Sequence, residues 1–217
     1  VIFFARRKFM DIAVLIDGAF LRKKFHAAYK KNLEVENIKI FSEKVLEVFN
    51  IKKSDLYRFY FYDCEPCAAK SSLPISNRAF LFEKTPQYAY GNKLLSELKK
   101  MDNFAVREGT LSFCGWKLKK SSYNKTPFTD DDFVPELHQK GVDIKIGLDL
   151  AWISYNHVAD KIIFVTGDSD FVPAIKTARR NGVFVYLLTL NHIVKPELTE
   201  NCDIWKKESI KDFNCGN

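Results

Sequence analysis

Two short apolar runs, each stopping at an Asp/Gly pair, constrain this chain more than any other feature. Asp11 to Ile16 (DIAVLI) stops at Asp17-Gly18, and Lys161 to Thr166 (KIIFVT) stops at Gly167-Asp168. Continuous apolar runs of this length, bounded by turn residues, read as strands buried on both faces. Three more runs share the character: Asp55 to Tyr62 (DLYRFYFY), Phe104 to Phe113 and Val183 to Leu188 (VFVYLL). The segments between them carry helical spacing. Strands alternating with helices imply a mainly parallel sheet with helices on both faces. The expectation is an α/β, Rossmann-like three-layer sandwich with a central sheet of about five strands.

Within that frame, Ala19 to about Asn50 is expected to hold one or two helices. Asp63 to Pro74 reads as a loop, and Ile75 to Lys100 as a helix or two broken near Pro86 and Gly91. Lys140-Gly141-Val142-Asp143 opens a helix running to about His157. Gly167-Asp168-Ser169-Asp170 turns into a helix that Asp168 or Ser169 can cap and that Asn181-Gly182 ends. With 217 residues, one domain over residues 10–210 is expected, with residues 1–9 as an extension and Met10 as an alternative start. The opening apolar residues are too few to span a bilayer. The five cysteines (Cys64, Cys67, Cys114, Cys202, Cys215) form an odd, scattered set without a secretory signal, which predicts a reduced, cytoplasmic protein with no membrane association.

Chemistry concentrates at the strand ends. In a doubly wound sheet, ligands bind outside the carboxyl ends of the strands, where Asp17 and Asp168 fall. Asp170 follows at a helix N-terminus that tolerates negative charge. Asp143 and Asp149 lie six residues apart on the preceding helix, roughly 120° apart around its axis, so they share a pocket only if Asp143 lies in the first turn. Several carboxylates in one pocket raise one another's pKa unless a cation neutralises them. Hard oxygen donors suit Mg²⁺ or Mn²⁺, and two such ions about 4 Å apart can serve phosphodiester cleavage.

The blocks VLIDGAFL (residues 14–21), KGVDIKIGLDLAW (140–152) and VTGDSDFVPAIKTARRNGVFV (165–185) together resemble the signature blocks of NYN domains, the LabA-like group of PIN-like nucleases. The resemblance covers most of residues 10–190. It implies a metal-dependent endoribonuclease whose acidic residues fall on Asp17, Asp143, Asp149, Asp168 and Asp170, with RNA preferred over DNA. Where many relatives carry Asn shortly after the first aspartate, this chain has Gly18-Ala19-Phe20.

A net charge of +7 is compatible with a polyanionic partner. Residues 115–135 read as a basic, aromatic loop in which Lys117, Lys119, Lys120 and Lys125 mix with Trp116, Tyr123 and Phe128. Such a composition suits single-stranded nucleic acid as well as it suits a solvated loop. Arg179, Arg180 and Arg22-Lys23-Lys24 are further candidates for phosphate contact. Cys64-Glu65-Pro66-Cys67 has no second ligand pair to complete a zinc site. The competing functions are an RNA-binding module that keeps the fold without cleaving, and a phosphatase, which would want Asp-x-Asp after the first strand. The glycine-rich GxxxxGK(S/T) loop of nucleotide hydrolases is absent. A homodimer and a protein partner that presents the RNA both stay open.

Overall fold

The computed structural model describes residues 11–216; the predicted extension at residues 1–9 and the alternative start at Met10 lie outside them. Nine strands and six α-helices follow in the order β1 (Ile12–Asp17), α1 (Gly18–Tyr29), α2 (Val35–Val48), β2 (Leu56–Glu65), β3 (Lys70–Ser72), β4 (Ala79–Leu81), α3 (Pro86–Leu98), β5 (Phe104–Leu118), β6 (Phe133–Lys140), α4 (Val142–Tyr155), β7 (Lys161–Val165), α5 (Val172–Arg180), β8 (Phe184–Leu188), α6 (Pro196–Glu200) and β9 (Ile204–Lys206).

Seven strands form the central sheet in the order β6-β5-β2-β1-β7-β8-β9, and β3 and β4 make a separate hairpin. All pairings in the large sheet are parallel except β5–β6. The side-chain period of a strand divides the core in two. Val14 and Ile16 of β1 join Phe25, Phe41 and Phe61 on one face, while Ala13 and Leu15 join Ile146, Leu150 and Ile175 on the other. The three-layer expectation holds.

The sheet has two more strands than expected. Residues 104–113 read as a strand and 115–135 as a basic loop, because the lysines mask the alternation beyond Phe113, but β5 runs on to Leu118 and pairs with β6 at residues 133–140. The predicted loop over residues 115–135 is therefore strand at both ends, with only 119–132 between them. The second surplus strand, β9, is a three-residue edge, too short to carry a pattern. The reading of residues 63–74 as loop is also corrected in part, since β2 continues to Glu65 and β3 occupies Lys70–Ser72. Within the stretch expected to be helical from Ile75, the helix starts only at Pro86, capped by the Thr85 hydroxyl accepting from the Tyr88 N–H. Proline at that first position loses nothing, because its missing N–H would have no helical acceptor.

Chain order explains where a ligand can sit. From β1 the chain moves through α1 and α2 to β2 on one side, and β7 leads through α5 to β8 on the other. The sheet order thus reverses between β1 and β7, and the crevice of such a sheet opens at that switch point. The first seven residues of β5 pair with β2; of its last eight, six pair with β6 and none with β2, Cys114 and Gly115 falling in a break of the register. This two-stranded arm extends past the carboxyl edge of the sheet by about 25 Å at the usual strand rise.

Candidate active site

Asp17 is the last residue of β1 and caps α1, its Oδ1 accepting from the Phe20 N–H at 3.0 Å. The sharp strand-to-helix passage depends on Gly18, where an added Cβ would lie 2.6 Å from the Tyr62 carbonyl oxygen. That close approach accounts for glycine directly after the aspartate. Across the switch point, the buried Thr166 hydroxyl lies 3.5 Å from Asp17 Oδ2 and accepts from the Asp168 N–H at 3.2 Å. Asp168 Oδ1 accepts in turn from the Asp170 N–H at 2.9 Å, an N-cap arrangement that holds the turn before α5. Asp143 occupies the first turn of α4, which begins after Gly141 in the left-handed region at φ 81°. Lys140 pairs with Thr110, itself the register partner of Glu65 at the end of β2, so α4 starts at the carboxyl edge.

These placements couple the carboxylates electrically. Burial pushes the Asp17 carboxyl up to about 6; the Phe20 N–H opposes the shift, while Asp143, Asp63 and Asp168 add to it. Asp143 is also raised, first by burial and then by Asp168 and Asp170. Asp17, Asp143, Asp168 and Asp170 thus form one electrostatic group. Among the described residues, however, no three His, Cys, Asp or Glu side chains are gathered closely enough to hold a metal ion.

Asp149 stands apart. Six residues below Asp143, it lies about 9 Å further along the helix axis. Its Oδ2 accepts from the Tyr62 hydroxyl and from Arg107 Nε, both at 2.9 Å. Burial and then Asp149 hold Tyr62 well above its usual phenolic range, as a neutral donor to that carboxylate.

Asp63 was not among the sequence candidates. It follows Tyr62, the register partner of Asp17 on the adjacent strand, and is almost fully buried with an ion pair to Arg22 at 2.7 Å. The readable signal was an aspartate directly after an aromatic strand, the same pattern as Asp17; the prolines and cysteines that follow drew it into a loop. His192 was missed too. Its ring stacks edge-on against Phe20 and closes over Gly167, and burial with Lys24 and Lys23 lowers its pKa. Lys23 and Lys24 therefore flank this edge.

The predicted nucleic-acid contacts divide. Lys125 is tied to Asp132 at 2.8 Å, Lys119 donates to the Asp131 carbonyl, Lys117 faces Glu136 at 3.9 Å, and Arg179 pairs with Asp203 at 3.0 Å. Lys120 and Arg180 form no such ion pair among the described residues. Asp132 staples the tip of the arm by accepting from Ser122, Lys125 and Thr129.

A seven-stranded, mainly parallel sheet flanked by helices is consistent with the fold of the PIN-like superfamily. The chain belongs to the NYN domain family within it, matching that family over residues 11–205. NYN domains are generally hydrolytic nucleases, and membership brings a nuclease-like, RNA-related function. A crystal structure of a protein of unknown function from Vibrio parahaemolyticus is similar, with a TM-score of 0.51, 16% sequence identity and 94% of each chain covered. No curated protein matches the chain. No helix among the described residues is long and apolar enough to cross a membrane.

Proposed function

We propose that the chain is a metal-dependent endoribonuclease that hydrolyses phosphodiester bonds in single-stranded RNA at the β1–β7 switch point. The observation that carries this reading is the half-buried Asp17 carboxylate at the end of β1, raised to about 6 by desolvation with Asp143, Asp63 and Asp168 acting on it. Outside a binding site, such clustering of like charge only costs stability.

The donors suit Mg²⁺ or Mn²⁺, since Asp17, Asp143, Asp168 and Asp170 offer only carboxylate oxygens, and burial favours a compensating cation. These four residues would hold the ion. A divalent ion supplies an activated water and neutralises charge at the leaving oxygen. The chain's own contribution is orientation: Phe20 N–H and Thr166 fix Asp17, and the capped turn fixes Asp168. Lys23 and Lys24 supply positive charge beside the aspartates, and the arm carries Lys120 and its aromatic neighbours past the same edge. Asp149 is assigned a positioning role, anchoring α4 to β2 and β5 through Tyr62 and Arg107.

One observation favours a second reading, an RNA-binding module without cleavage: the carboxylates are not drawn into a closed metal-holding set among the described residues. The two readings separate on cleavage of labelled single-stranded RNA and matched DNA by purified protein in Mg²⁺, Mn²⁺ or EDTA. Metal-dependent cutting of RNA supports the nuclease. RNA bound but uncut under every metal supports the binding module.

A further inference from the structure

Beside the aspartates lies a cavity of ≈ 420 Å³ that the proposed reaction leaves unused. Its volume is within the roughly 300 to 1,000 Å³ typical of sites for small organic groups. Phe82, Leu95 and Leu137 contribute apolar wall, and the exposed Gln139 also lines it. Arg22 and Asp63 line it too. The Asp63 side chain is 4% exposed, and its Oδ1 accepts both from Arg22 Nη2 at 2.7 Å and from the Cys64 N–H at 2.8 Å. Neither bond engages Oδ2. Arg22 Nε is buried and finds no acceptor among the described residues. A buried donor without a partner is uncommon and costs stability, so the Arg22–Asp63 pair in the cavity wall holds an acceptor oxygen that no protein donor engages and, set back from the surface, a guanidinium nitrogen with no acceptor.

We propose that this cavity is a base pocket, taking one unpaired base of the RNA strand next to the scissile phosphate, and that the Arg22–Asp63 pair selects guanine. The inference rests on the reading that the neighbouring aspartates act on RNA. Asp63 is one residue past the register partner of Asp17, so a base in the cavity belongs to a nucleotide at or beside the cleaved bond. Unpaired bases of RNA are read on their Watson–Crick edges and packed against aromatic and apolar side chains. Guanine alone among the four bases offers a carboxylate two adjacent N–H donors, N1–H and N2–H₂, with the O6 carbonyl beside them for a guanidinium. Uracil offers one N–H, and adenine and cytosine offer only their amino group.

The test is equilibrium binding of the full chain, in EDTA, to fluorescent oligouridine hexamers carrying G, A, C or U at one central position, with free GMP titrated in parallel. The G-containing strand is expected to bind about tenfold more tightly than the others, and GMP more weakly than the strand. Gln139→Trp, at an exposed position, fills the cavity without touching the ion pair, and Asp63→Asn removes the acceptor charge; both are expected to abolish the preference. If Asp63→Asn fails to fold, Gln139→Trp decides. Equal binding of all four strands, or a guanine preference that survives Gln139→Trp, overturns the pocket, and GMP binding as tightly as the strand overturns its assignment to RNA. Metal-dependent cleavage without base preference removes the pocket and spares the nuclease; guanine-selective binding without cleavage does the reverse.

Discussion

Replacing Asp17 by Asn is expected to make the metal-free protein more stable while destroying its activity. The carboxyl has an ordinary value of 3.8 and about 6 in the fold. Below pH 3.8 it is neutral in both the folded and unfolded chain, so it contributes no difference. Between 3.8 and 6 the folded state keeps a proton that the unfolded chain gives up, and stability falls as pH rises. Above pH 6 the full penalty is present, about 3 kcal/mol at about 1.4 kcal/mol per pH unit of displacement. Asn keeps the oxygen that accepts from the Phe20 N–H and caps a helix as well as Asp does, but carries no charge. Urea denaturation in EDTA is therefore expected to show Asp17→Asn more stable than the parent by about 2 to 3 kcal/mol at pH 7.5, narrowing to about 1 kcal/mol at pH 4.5. Adding Mg²⁺ should raise the parent and leave the variant unmoved, since a ligand stabilises only the state that binds it. Equal stability at pH 7.5, or a gain of the same size at both pH values, would refute the argument that Asp17 is a half-buried, poorly solvated charge awaiting a cation.

Asp149→Asn tests the positioning role. RNA cleavage is expected to persist within about tenfold while Asp168→Asn loses it, and equal loss in both would return Asp149 to the ligand set. Gly18→Ala forces a Cβ against the Tyr62 carbonyl and should lower stability by about 2 kcal/mol or more in thermal denaturation, as overpacked sites do. Asp132→Ala frees Lys125, Thr129 and Ser122 at the tip of the arm. Limited proteolysis should then cut within residues 119–132, and RNA affinity in EDTA should fall; an uncut tip with undiminished binding would remove the arm from the binding surface.

The parts of the fold legible in the sequence were those whose pattern is set by burial on both faces. β1, β7 and β8 are continuous apolar runs because helices cover both sides, and Asp17 ends the first of them while Asp168 follows the second. The arm was hidden because β5 beyond Thr110 leaves the covered sheet: Lys117 faces solvent while Phe113 and Trp116 pack on Phe82, so no simple alternation survives. Helical periodicity gave the spacing of Asp143 and Asp149 but not the partner that decides where Asp149 points, since Arg107 sits on a strand 42 residues away. Asp63 was concealed for a similar reason. Its importance comes from parallel pairing of β1 with β2 and from Arg22 on α1, neither of which a local pattern contains.

The most direct test of the account is the single-turnover cleavage rate of 5′-labelled single-stranded RNA in Mg²⁺, compared between the parent chain and Asp17→Asn and Asp168→Asn prepared identically. The account predicts cleavage by the parent, none in EDTA, and a loss of at least about a hundredfold in each variant, the scale on which removing one electrostatic element of a site acts. Cleavage that survives both substitutions at the parental rate would contradict it.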